Sequence, residues 1–175
     1  MIRAEYSKDF STYTLVLSDI EFSDGISLNM KFDTGAVRTV ISIWSLFQHL
    51  SINTINRLKE GFENAGIKSK EFSSASGNEL KGYPCVIHNA KLNGVVIKDF
   101  CFYLILDTRR KIALIGDDFV SCCDFHHIID GDIVIDSFDS DLAYEKFKLD
   151  HEPFELNEII FNHYLQECNP IFDSF

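Results

Sequence analysis

Positive charge is scarce in this chain. Its 175 residues carry 16 Lys and Arg against 27 Asp and Glu, a formal net charge of −11. Such a surface repels nucleic acid and anionic membranes, so neither is expected as a partner. Long apolar runs are missing as well. No stretch of about 18 apolar residues occurs, so no transmembrane helix is expected. The first ten residues, Met1 to Phe10, lack the apolar stretch of a signal peptide, and a cytoplasmic location is the expectation. The five cysteines, Cys85, Cys101, Cys122, Cys123 and Cys168, are odd in number and follow no framework spacing, which reads as free thiols in a reducing compartment. Two catalytic signatures are absent. There is no Gly-x-Ser-x-Gly elbow, and His49, His88, His151 and His163 are scattered, so Ser-His-Asp chemistry has no support. No glycine loop capable of cradling phosphate occurs either.

One segment invites a metal reading, Cys122-Cys123-Asp124-Phe125-His126-His127. It has neither Cys-x-x-Cys nor His-x-x-x-His spacing, and adjacent residues on a strand point to opposite faces. Partly buried thiols and a local polar pair explain it more simply. A metal-dependent hydrolase on these residues is the third-ranked function, and no metal or cofactor is expected.

The composition is that of a folded protein, with 46% hydrophobic and 25% charged residues. The 16 Phe imply a core rich in aromatic contacts. Tyr13 to Phe22 alternates as a strand, Ser23-Asp24-Gly25 turns it, and Ile26 to Phe32 returns. Thr39 to Ile43 is β-branched and strand-like. Ser51 is placed to cap a helix in which Ile52, Ile55, Leu58 and Phe62 fall near helical spacing, ended by Ala65-Gly66. Cys85 to Leu92, the hairpin turn Asn93-Gly94, Val95 to Ile97 and Phe100 to Leu106 continue a sheet. Ile112 to Ile115 is a further strand, Phe119 to Cys123 a short helical turn, and Ile128 to Ile135 a last hairpin. The expected fold is mostly β, a small closed barrel with one or two helices over residues 1–147. Residues 148–175 read as an acidic, aromatic extension, helical from Pro153 to about Glu167.

Two motifs carry the chemistry. The first is Met30-Lys31-Phe32-Asp33-Thr34-Gly35-Ala36-Val37-Arg38-Thr39-Val40-Ile41-Ser42. A carboxylate at a strand end, followed by Gly in a tight turn, faces a cleft rather than a core. The second is Ile112-Ala113-Leu114-Ile115-Gly116-Asp117-Asp118-Phe119, whose Gly116 follows Asp33 by 83 positions. Together, in this order and spacing, they resemble the Asp-Thr-Gly active-site loop and the supporting strand of the retropepsin-like aspartic proteases, over roughly residues 10 to 145.

That resemblance implies an acid-protease lobe, with Asp33, Thr34 and Gly35 as catalytic loop and Ala36 beside the substrate. Leu114, Ile115, Gly116 and Asp118 would support the loop from beneath. It also places Phe72 to Tyr83, with Ala75, Ser76 and Gly77, where the family carries its substrate-covering flap. Two-lobed members have two Asp-Thr-Gly loops and this chain has one, so the implied enzyme is a homodimer in which two Asp33 carboxylates meet on a two-fold axis. Two carboxylates about 3 Å apart share one proton, a behaviour for which aspartic proteases are themselves the known example. The implied function is an endopeptidase cutting extended, apolar polypeptide segments, and the alternative is a non-catalytic peptide-binding or dimerisation module on the same fold. The chain departs from the retroviral pattern in charge: Arg38 follows the first motif and Asp117-Asp118 the second, so an Arg38 pair with Asp117 or Asp118 is expected.

Overall fold

The structure is a computed structural model. It describes residues 2–18, 27–33, 35–46, 51–73, 77, 79–127 and 131–156. In chain order the elements are β1 (Ile2–Ser7), β2 (Thr12–Ser18), β3 (Leu28–Phe32), β4 (Val40–Ser42), α1 (Ile43–Leu46) and α2 (Ile52–Asn64). There follow β5 (Lys70–Ser73), β6 (Glu79–Leu92), β7 (Val95–Ile105), β8 (Ala113–Ile115) and α3 (Asp117–Val120). The last are β9 (Cys123–His127), β10 (Ile133–Phe138), α4 (Ser140–Asp150) and β11 (Phe154–Glu155).

Six strands close on themselves. β2 pairs antiparallel with β3, which runs parallel to β8 through Lys31↔Leu114 and Phe32↔Ile115. β8 is antiparallel to β4, and β4 is parallel to β7. β7 forms a long antiparallel ladder with β6, and β6 returns to β2 through Leu17↔Leu92 and Ser18↔Lys91. Closure leaves these strands no free edge along the ring. The mostly β, closed-barrel architecture is therefore as expected. β1 extends β2 and carries β10 and then β9.

Alternation fills the barrel. Leu15 and Leu17 of β2, Leu28, Met30 and Phe32 of β3, and Ile115 of β8 point inward and are buried. Each such side chain contributes about 2 kcal/mol by leaving water. The many phenylalanines pack in pairs as the composition implied. Phe119 stacks on Phe138 at 4.2 Å, and Phe62 on Tyr83 at 5.1 Å between ring centroids.

Locally encoded features stand where the sequence put them. The Ser51 hydroxyl accepts from the Thr54 N–H at 3.1 Å and starts α2. Ile55, Leu58 and Phe62 of that helix are buried, while Ile52, on its first turn, is exposed. Asn93 and Gly94 both have positive φ, 46° and 82°, the pair a two-residue hairpin turn requires.

The C-terminal part differs from expectation. The helix expected from Pro153 does not form over 153–156. Phe154–Glu155 is instead a strand parallel to β6, and the Leu156 N–H donates to the Val86 carbonyl at 3.0 Å. The barrel offers β6 as a pairing partner there, and Leu156 is buried against it. The expected remainder of that helix, 157–175, lies outside the described residues. The 147/148 boundary proposed from composition falls inside α4. That helix has no periodic signature in the sequence because it presents almost no apolar stripe. Phe147 is buried with Val40, Tyr103 and Ile105, while Leu142 and Leu149 are exposed.

His88 of β6 fastens β11. Its Nδ1 lies 2.7 Å from Asp99 Oδ1 and its Nε2 lies 2.6 Å from Glu155 Oε1. Burial opposes charge on the imidazole, but hydrogen bonds to Asp99 and Glu155 outweigh it and raise its pKa above the ordinary value. A group raised in this way stabilises the fold fully below about pH 6.5, and the contribution is lost as pH rises through the raised pKa. His88→Gln is expected to lower the melting temperature clearly at pH 6 and less at pH 8.5. An equal drop at both pH values would show that charge on His88 plays no part.

Candidate active site

Asp33 sits immediately after β3, where the chain leaves the barrel. Three hydrogen bonds fix it there, two of its backbone and one of its side chain. Its N–H donates to the Ile115 carbonyl at 3.0 Å, and its own carbonyl accepts from the Ala36 N–H at 3.1 Å. Its Oδ1 accepts from the Gly35 N–H at 3.0 Å. A side chain at position 35 would begin 3.3 Å from that same oxygen, so glycine keeps the carboxylate clear. Thr34 lies outside the described residues.

The loop between β3 and β4 is held from beneath by β8. β8 lies between those two strands, parallel to one and antiparallel to the other. Past its end the chain turns back under the loop. The Asp117 N–H donates to the Ala36 carbonyl at 2.8 Å and the Asp118 N–H to the Val37 carbonyl at 3.2 Å. Gly116 makes this approach possible, because a Cβ there would lie 2.5 Å from the Arg38 carbonyl carbon and oxygen. Leu114 reaches the cleft side, whereas Ile115 is fully buried beneath it.

Thr39 and Asp118 tie the two motifs together. The Thr39 hydroxyl donates to Asp118 Oδ1 at 2.7 Å and accepts from the Gly116 N–H at 3.2 Å. The Thr39 N–H donates to Asp118 Oδ2 at 3.0 Å, and the Phe119 N–H to Oδ1 at 2.8 Å. Burial pushes the Asp118 carboxyl above its ordinary pKa, and these bonds with the Arg38 charge pull against it. Thr39→Val keeps the shape and removes the hydroxyl, which takes one of two bonds from Asp118 Oδ1 and strands the Gly116 N–H. It is expected to destabilise the protein by about 2–3 kcal/mol. A denaturation midpoint equal to wild type would remove this network from the site's support. The sequence signalled Thr39 only weakly, as one hydroxyl within a β-branched run.

Arg38 does not pair with Asp117 or Asp118. Its guanidinium meets the carboxylate of Asp150 at the end of α4, and Lys70 of β5 lies 3.5 Å from the same carboxylate. Asp118 is already occupied by Thr39, and α4 brings a more accessible partner over the loop. The Tyr103 ring packs on Phe147 of α4 at 4.9 Å, and its hydroxyl lies 3.4 Å from His151 Nδ1. Thus the helix that the sequence did not disclose joins the Asp33 loop to the base of the β5–β6 hairpin.

A groove of about 850 Å3 opens beside Asp33. Gly35, Ala36 and Leu114 line it together with Phe72, Leu80 and Ile112. Gly77, at the hairpin tip, has φ of 82°. Ala75 and Ser76 fall outside the described residues. Asp118 faces away from the groove, into a separate cavity of about 190 Å3 beneath α4.

Around the vicinal cysteines, Cys123–His127 is a strand, and His126 pairs with Asp136 at 2.8 Å. Among the described residues no group of three or more His, Cys, Asp or Glu side chains converges on a point that could hold a metal ion. No helix among them is long and apolar enough to cross a membrane.

No protein-family model and no curated protein matches the chain. Among solved structures it is similar to a retropepsin-like aspartic protease from Rickettsia conorii, at 17% identity over 77% of this chain and 88% of that one, with a TM-score of 0.42.

Proposed function

We propose that the chain is an aspartic endopeptidase that acts as a homodimer, with Asp33 of each subunit supplying one half of the catalytic pair. The observation that supports this best is the setting of Asp33. It stands at a strand end beside an open groove, with its loop bonded from beneath by β8, Asp117 and Asp118. A carboxylate needed only for folding would be paired with a cation or buried. This one is half-buried, and the contact described for it is the Gly35 N–H.

The chemistry follows from the pair. Two Asp33 carboxylates brought within about 3 Å share a proton, and their two apparent pKa values belong to the pair. The ionised member takes a proton from a water molecule, which attacks the scissile carbonyl carbon. The protonated member donates to the carbonyl oxygen, which gives a tetrahedral diol. The pair then passes a proton to the amide nitrogen as the C–N bond breaks, and because water is the nucleophile no acyl-enzyme forms. Thr34 would bond across the two-fold axis and hold both loops. Substrate would lie extended, with its backbone bonded to strand edges and to the β5–β6 hairpin acting as a flap. Activity then falls once both carboxylates are ionised.

The test is cleavage of a diverse peptide library from pH 4 to 7 by wild type and Asp33→Asn. Cuts made by wild type and lost in the variant support the proposal. A folded dimer that cuts nothing would favour the peptide-binding module instead.

A further inference from the structure

We propose that the groove beside Asp33 selects polypeptide segments that carry an acidic side chain next to apolar ones. This rests on the peptide-processing reading above and names its substrate class.

The charge of the groove is opposite to that of the molecule. Acidic residues outnumber basic ones by a wide margin in the chain, 27 to 16. Along the groove the order reverses: Lys31, Arg38, Lys70, Arg110 and Lys111 line it, against Asp33 and Glu71. Asp150 engages both Arg38 and Lys70, so one carboxylate offsets part of two cations. Among the described residues, Lys31, Arg110 and Lys111 have no carboxylate partner. Lys31 rests its ammonium 4.7 Å from the centre of the Phe10 ring, a contact that leaves its charge uncompensated. Arg110 and Lys111 stand exposed on the loop entering β8. In a dimer the two Asp33 groups share a proton, which lowers the negative charge facing substrate further.

Beneath these cations the floor is apolar, with Phe72, Leu80, Ile112 and Leu114 lining the same groove. An extended peptide places alternate side chains on opposite faces. An apolar residue can therefore settle on this floor while a neighbour reaches the Arg110–Lys111 rim. The chain as a whole is acidic, so the cations of this groove favour an acidic segment against the overall charge. A basic segment meets the reverse: it is attracted by the net charge and opposed by the cations of the groove.

The experiment uses the full-length Asp33→Asn protein, which leaves peptides intact. Three fluorescent peptides share one apolar centre and differ only in flanking Glu, Gln or Lys. Binding is read by anisotropy at low and high salt. The expected order is Glu, then Gln, then Lys, with Glu about tenfold tighter than Gln at low salt and the gap narrowing as salt rises. An Arg110→Glu/Lys111→Glu double variant is expected to reverse the order. Equal binding of all three, an order unaffected by the double variant, or no binding of any peptide overturns the inference. Wild-type cleavage of the same peptides separates the two readings. If the binding order holds and nothing is cut, the acid-selecting groove stands and the protease does not. If all three are cut and bound equally, the protease stands and the selectivity does not.

Discussion

Asn in place of Asp33 is expected to slow peptide cleavage by about 10^4-fold and to leave the fold untouched. The size follows from the chemistry. General acid–base assistance is worth up to about 10^4, and an amide can neither take the proton of water nor share one with its counterpart across the axis. The fold should be spared because of what surrounds the side chain. Among the described residues its Oδ1 accepts from the Gly35 N–H at 3.0 Å, and an amide oxygen can accept the same bond. Cleavage rates and a thermal melt on the same sample decide the matter. A variant as active as wild type would take Asp33 out of the mechanism.

Gly116→Ala is expected to be the most damaging single methyl that can be added to the site. The backbone at Gly116, with φ of −98° and ψ of −175°, is one any residue adopts, so strain in the dihedrals is not the issue. The obstacle is contact. A Cβ would meet the Arg38 carbonyl carbon and oxygen at 2.5 Å and the Ala36 oxygen at 2.9 Å, all of them backbone atoms that cannot rotate away. Relief requires the Asp33–Arg38 loop to lift from β8, breaking the bonds from Asp117 and Asp118. Overpacking of this kind costs about 3 kcal/mol. Gly94 makes a useful contrast: a Cβ there meets nothing, and alanine suffers only from the φ of 82°. Its cost is about 1 kcal/mol. Chemical denaturation of the two variants should separate these values. Equal, small losses would mean that the loop is not pressed onto Gly116 as described.

What could be read from the sequence was what is encoded locally. Ser51 announces α2 because a cap acts three residues away, and Asn93-Gly94 announces its turn because positive φ is a property of those residues. The strand before Asp33 is legible from its alternation and the strand before Gly116 from its apolar run. What escaped depends on partners far along the chain. The bonds of Thr39 are with Asp118, 79 residues on, and a lone hydroxyl in a β-branched run gives no hint of that. The sequence points Arg38 to the acidic pair of the second motif, yet Asp150 arrives on a helix with one buried residue and hence no periodic signature. Nor does the sequence disclose that the cations of an acidic chain gather at one groove, since Lys31, Lys70 and Arg110 belong to three separate segments.

The most direct measurement is subunit mixing. Wild type and Asp33→Asn chains are unfolded together in equal amounts, refolded so that subunits exchange freely, and assayed at fixed total concentration. A site built from one Asp33 of each subunit predicts about a quarter of the all-wild-type activity, because only that share of dimers holds two carboxylates. About half the activity would mean that each chain works alone, and the shared catalytic pair would be contradicted.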